Sequence, residues 1–399
     1  MNRVHQYLDT LCAPGLYGRG ASFDGQKKAA DYLSDRFKEI GLIPLSDNYF
    51  QYFTYNINTF PGKLSFQTDH TTLTPGTDYI IGPNSPSGKA TLKTMYLDTL
   101  LFSSKKAVKK FQRSNLKNTA LVYDEAFQKK VTANGNPYTS KLKESRCVIM
   151  LKNKKLTMGL SKSQADFVSF EILREKFQSD IKTISYEVDA EMINGYKAQN
   201  VIGYVKGTAV PDSFLFITAH YDHLGNLGEK TYFPGANDNA SGVSMLLELA
   251  RYFKEHPQKY SIVFIAFGAE EAGLIGSEYF TKNPLVPLAK IRFLLNLDLM
   301  GTGDDGMMVV NGSVFQKEFE LLTKLNETKK YLSAIKQRGK AANSDHYYFT
   351  EKGVPAFFFY TLGGITAYHD VWDIPKTLPL TKFKEVHNLI IDFISALAK

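Results

Sequence analysis

Apolar residues along this chain follow two spacings. In "FDGQKKAADYLSDRFKEIGLIP", Ala29, Ala30, Leu33, Phe37 and Ile40 recur at the period of a helix. Gly41 then ends the helix and Pro44 follows it. From about Phe60 the texture changes to Thr, Ser, Pro and Gly around short β-type runs: "TDYIIGP", "TMYLDTLLF", "TALVYD" and "RCVIML". From "NVIGYVKG" onward, strands and helices alternate. "SFLFITA", "SIVFIAF", "IRFLLNLD" and "VPAFFFY" are apolar runs of strand length. Between and after them, "NASGVSMLLELARYFKEH", opened by an Asn cap, "VFQKEFELLTKL" and "TKFKEVHNLIIDFISALA" carry the helical period.

Runs this apolar read as strands buried on both faces, and such strands alternating with helices imply an α/β sandwich. The expected fold is α/β: a mixed, largely parallel central sheet sandwiched by helices. Residues 1–59 and 181–399 form one domain on this reading, and residues 60–180 form an inserted β-rich domain.

Composition adds bounds. The chain has 399 residues, 43% hydrophobic and 22% charged, as a folded globular protein has. Cys12 and Cys147 are far apart and read as two inert thiols. No run approaches the ~18 apolar residues of a membrane span. Residues 60–180 hold 20 Lys/Arg against 10 Asp/Glu, within an overall charge of +8. The basic clusters "SSKKAVKK" and "KNKK" lack interleaved aromatics, so they read as a solvated face and no nucleic-acid partner is expected. A module so different in texture is expected to fold apart from the rest of the chain.

In an open α/β sheet, ligands gather at the carboxyl ends of the strands. "FLFITA" is followed there by His220 and Asp222, and "FPGANDNASG" places Asp238 just before a helix. "IVFIAFGA" runs straight into Glu270 and Glu271, "FLLN" ends near Asp298, and His369 and Asp373 follow "AFFFYTLGG". Imidazole and carboxylate without cysteine suit zinc or another divalent first-row metal. The set is too large for one four-coordinate ion. Two ions about 3.5–4 Å apart, bridged by one carboxylate, would use it. Of two adjacent glutamates, one then serves as ligand and the other as base. His346 and Asp373 are further candidates, the latter as a partner for His369, and His223 has no assigned role. Phe357 to Tyr360 read as core strand.

In this order, "AHYDHLG", "GANDNASG", "AFGAEEAGLIGS", "NLDLMG", "SDHYYF" and "YHDVWD" resemble the M28 family of di-zinc aminopeptidases. The resemblance covers roughly residues 1–59 and 181–399. It implies two Zn2+ per chain, with Asp238 bridging, His220 and Asp298 completing one site, and Glu271 and His369 the other. It implies Glu270 as general base and Asp222 as the carboxylate that orients the His220 ring. It also implies a cis peptide bond between Asp238 and Asn239, and peptide substrates with a free N-terminus. The insertion sits where family members often carry a protease-associated-like apical domain. A glutaminyl cyclase-like single-zinc acyltransferase and a catalytically silent binding ectodomain share the fold and are the rival readings. An exported protein, periplasmic or extracellular, is expected, with a cytoplasmic one left open.

Overall fold

A computed structural model describes residues 1–46, 48–102, 104–133 and 141–399. Its central sheet has nine strands: β1 (Ile43–Pro44), β2 (Phe50–Thr59), β3 (Glu191–Val205), β4 (Val210–His220), β5 (Tyr260–Phe267), β6 (Ile291–Leu297), β7 (Met307–Val310), β8 (Ile335–Arg338) and β9 (Ala356–Thr361). The order is β1-β3-β5-β4-β6-β9-β7-β8, with β2 also on β3. β5, β4, β6 and β9 run parallel, and β3 and β7 flank them antiparallel. The sheet is therefore mixed with a parallel centre, as the apolar runs suggest.

Those runs are apolar throughout because helices cover both faces of the sheet. Every residue of β5 is buried, and its side chains alternate between two cores. Ile262, Phe264 and Ala266 join a core with α1 (Asn2–Leu11), α2 (Gly25–Ile40), α3 (Gly242–Glu255) and α7 (Phe383–Leu397). Val263, Ile265 and Phe267 face Phe280 of α4 (Ile275–Lys282) and Phe349 of α6 (His346–Glu351). The remaining helix of this part, α5 (Gln316–Lys329), buries Phe319 and Leu322. α2 buries the five residues whose spacing predicts it. Gly41 ends it with φ 79°, a left-handed conformation that costs glycine little. The Asn239 side chain accepts the Gly242 N–H at 2.9 Å, opening α3 as the sequence suggests.

A second, eight-stranded sheet is built from strands between Leu64 and Val188. Gly88–Tyr96, Thr119–Asp124, Cys147–Lys152 and Val168–Leu173 pair in parallel, and Thr183–Val188 pairs antiparallel with Gly88–Tyr96. Part of "TMYLDTLLF" differs from its β reading: Thr99–Phe102 is a short 3-10 turn. Residues 134–140 of this segment lie outside the described residues. The core of this sheet is not closed on itself. Leu224, Leu227 and Phe233, from the loop after β4, pack into it beside Phe66, Tyr79 and Phe170.

One side chain ties together two of the loops that carry candidate ligands. Arg19 is 0% exposed, and its guanidinium donates to five main-chain carbonyls. Nε reaches Tyr221 at 2.8 Å, and Nη1 reaches Leu11 at 2.8 Å and Pro234 at 2.6 Å. Nη2 reaches Gly235 at 2.8 Å and, at the long limit of 3.4 Å, Asp238. Tyr221 lies between His220 and Asp222, so this contact sets the β4 loop against the Asp238 loop. Gly235 has no room for a side chain: a Cβ there would meet Asp238 O, His223 Cδ2 and Arg19 Nη2. Leaving buried carbonyls without donors costs about 1–3 kcal/mol each. Arg19→Leu is therefore expected to lower the unfolding free energy by roughly 3 kcal/mol or more in denaturant titration. A loss well under ~1 kcal/mol would show that those carbonyls find other donors.

Candidate metal centre

The carboxyl ends of β4, β5, β6 and β9 converge, together with the loop that opens α3. The Asp238 carboxylate stands between two imidazoles. Its Oδ1 lies 3.3 Å from His220 Nε2, and its Oδ2 lies 3.0 Å from His369 Nε2. Asp298 Oδ2 is 3.4 Å from the same His220 nitrogen, and Glu271 Oε2 is 3.2 Å from the same His369 nitrogen. The Asp238–Asn239 peptide bond is cis. Ligating atoms of His220, Glu270 and Asp298 lie within 4.8 Å of one another, which sets Glu270 beside the first group.

Three observations test whether these residues fit metal ions. Tetrahedral ligands about 2.0–2.1 Å from an ion stand roughly 3.3–3.4 Å from each other. The four separations of 3.0–3.4 Å match that edge length. The donors are imidazole nitrogens and carboxylate oxygens, the set zinc takes. Asp298 Oδ1, though buried, has no hydrogen-bond partner among the described residues. The donor set fits a pair of divalent ions sharing Asp238.

The protonation of the chain alone divides the site. Burial disfavours the Asp238 carboxylate, yet the His220 and His369 imidazoles on its two oxygens hold its pKa well below the usual range. Burial and the Asp238 charge push Glu271 up, but His369 and His223 bring it down to about 2. Glu270 goes the other way. Burial raises it well above the usual carboxylate range; His220 opposes that, while Glu271, Asp345 and Asp298 add to it. Burial works against a charged His369, and Glu271 and Asp238 outweigh it to raise the ring to about 11. Two adjacent glutamates thus differ in their readiness to hold a proton, as an acid–base residue beside a ligand should.

Several supports differ from their expected form. The Asp222 carboxylate is 3.9 Å from His220 Nδ1, whose hydrogen-bonding partner is the Asp222 main-chain carbonyl at 3.2 Å. The carboxylate instead accepts the N–H groups of Glu270 at 3.0 Å and Glu271 at 3.3 Å, fixing the backbone of that pair. Burial still raises Asp222 to about 7. Asp373 does not touch His369. It accepts the N–H groups of Asn237 at 2.8 Å and Asp238 at 3.0 Å. His346 is buried against Phe358 and makes no contact with the ligand set. Its neighbour Ser344 does, donating to Asp298 Oδ2 at 3.2 Å while accepting from Asn296 at 2.8 Å.

The inserted segment is not apart from this centre. It supplies none of the candidate ligand side chains, but the Met158 carbonyl accepts from His369 Nδ1 at 3.0 Å. The Met158 N–H donates to the His369 carbonyl at 2.9 Å. Lys155 holds the same loop through Asp370, at 2.7 Å, and the Thr366 carbonyl, at 2.7 Å. The Tyr368 ring, 43% exposed, stacks on His369 with centroids 4.0 Å apart.

Known proteins resemble this chain in sequence and in fold. Residues 200–394 match the model of peptidase family M28. Aminopeptidase YwaD of Bacillus subtilis (strain 168) is 28% identical over 242 residues, 58% of this chain and 49% of that protein. A probable zinc metalloprotease of Pyrenophora teres f. teres (strain 0-1) is 37% identical over 128 residues, 31% of this chain and 28% of its own length. The match thus spans about half of the first relative and less of the second. Among solved structures, BSAP, a zinc aminopeptidase from Bacillus subtilis, superposes with TM-score 0.72 at 20% identity, covering 100% of this chain and 95% of that one. A peptidase M28 precursor from Shewanella amazonensis SB2B gives 0.71 at 16% identity, covering 99% and 93%. These two likenesses establish the shared fold. Residues 200–394, which carry all of the candidate ligands, match peptidase family M28.

Proposed function

We propose that this chain is a di-zinc aminopeptidase that removes N-terminal residues from peptides. The observation that carries the reading is the division of Asp238, one oxygen toward each of two imidazole-containing ligand groups. His220, Asp238 and Asp298 would hold one ion, and Asp238, Glu271 and His369 the other. Three protein ligands per ion leave a position open, as catalytic sites require. When bound, such ions polarise a scissile carbonyl and make a water acidic enough to attack it near neutral pH.

The chain's own groups do the rest. Glu270, beside His220 and Asp298, takes the proton of the attacking water on a carboxylate oxygen. It then gives that proton to the departing amine as the carbon–nitrogen bond breaks, and ends ready for another cycle. Asp222 keeps Glu270 and Glu271 in fixed relation through their main-chain N–H groups. The preference for a free N-terminus rests on relatives named as aminopeptidases. We assign residues 60–180 as an inserted domain that walls the His369 side of the site, and we place the enzyme outside the cytoplasm.

A panel of chromogenic aminoacyl substrates, with N-blocked versions as controls, tests the activity. Hydrolysis of free-amine substrates alone supports it, and turnover of the blocked set equally well contradicts it. Glu270→Gln removes the base at nearly constant size. Turnover is expected to fall by at least ~10²-fold with metal content unchanged. Near-normal turnover in that variant would show that Glu270 is not the base.

A further inference from the structure

His223 follows Asp222 in the β4 loop and is 1% exposed. Its Nδ1 lies 2.8 Å from Glu271 Oε1. The other oxygen of that carboxylate, Oε2, is the one 3.2 Å from His369 Nε2. The two oxygens are therefore divided between a histidine that faces the ligand group and one that lies behind it. An ionised carboxylate only accepts hydrogen bonds, so the proton of a neutral His223 ring sits on Nδ1. Nε2 must then accept one.

Nε2 of His223 is buried and has no partner among the described residues. His223 lines a cavity of about 20 Å³ together with Gln26, Asn226 and Asp222. Gln26 Nε2 and Asn226 Oδ1 are likewise buried without partners among the described residues. A space of this size has room for about one water. The ring itself has little freedom, since Gly235 packs against Cδ2 so closely that a Cβ would collide with it.

We propose that His223 is a positioning residue for the metal centre, holding Glu271 Oε1 through Nδ1–H so that Oε2 alone is presented to the ion. The inference rests on the two-metal reading above. Outer partners of this kind typically govern 10–100-fold in metal affinity.

The test compares three variants, with zinc affinity and stoichiometry read by competition against a chromogenic chelator. The side-chain nitrogen of Asn can occupy nearly the place of Nδ1, whereas that of Gln reaches the place of Nε2. His223→Asn is expected to keep both zinc affinities within a few-fold of wild type. His223→Gln and His223→Phe are expected to lose ~10–100-fold at one of the two sites and leave the other unchanged. Should the Phe variant fail to fold, the Asn and Gln pair still decides. Equal behaviour of Asn and Gln, whether both retain or both lose affinity, overturns the proposal, as does a uniform loss at both sites. A wild-type chain that binds two ions while the variants match it defeats this inference alone. A wild-type chain that binds one ion removes the two-metal reading and this inference with it.

Discussion

Seven carboxylates gather in the loops above the parallel strands: Asp222, Asp238, Glu270, Glu271, Asp298, Asp345 and Asp373. Two unit charges 4 Å apart at an effective dielectric of 20 repel by about 4 kcal/mol. Among the described residues, the side chains that offset this charge are few: the His220 and His369 rings, and Arg19 near Asp373, while a neutral His223 gives Glu271 a hydrogen bond. Much of the local structure answers this one constraint. Asp222 and Asp373 each take two main-chain N–H groups, which favours charge without another cation. Asp238 draws on two imidazoles at once. A site so rich in negative charge fits cations from outside the chain.

The same constraint explains why positioning is spread over distant parts of the molecule. Each imidazole that faces the ligand set is tied by its other nitrogen to a main-chain carbonyl, Asp222 for His220 and Met158 for His369. Asp298 is steadied by Ser344, which is steadied by Asn296, which accepts in turn from Thr218 at 2.7 Å. That chain links β4, β6 and the loop before α6, and so ties Asp298 to the strand that ends in His220. The inserted segment has a share in it through Met158 and Lys155, and through the common core around Leu224 and Phe233.

The sequence showed the strands, the helices and the ligand candidates because each leaves a local mark. A strand buried on both faces must be apolar throughout, and an acid or histidine directly after it stands out. Glu270 and Glu271 after "IVFIAF" are the plainest case. What could not be read lies in contacts to the main chain, which every residue offers alike. Nothing near Arg19 points to Tyr221, 202 positions away, and nothing in "LTMGL" points to His369. Asp222 and Asp373 were legible as acids, but their hydrogen-bond partners are N–H groups rather than the histidines suggested by the family resemblance for Asp222 and by sequence proximity for Asp373. His223 stood in plain view beside Asp222. Only the fold brings Glu271 against it.

The central claim is that Asp238 is shared by two ions. Crystals grown with zinc and measured on both sides of its absorption edge address this directly. The account predicts two anomalous peaks per chain, about 3.5–4 Å apart. One oxygen of Asp238 should lie on each, with His220 and Asp298 on one ion and Glu271 and His369 on the other. A single peak, or two peaks of which only one touches Asp238, would contradict it.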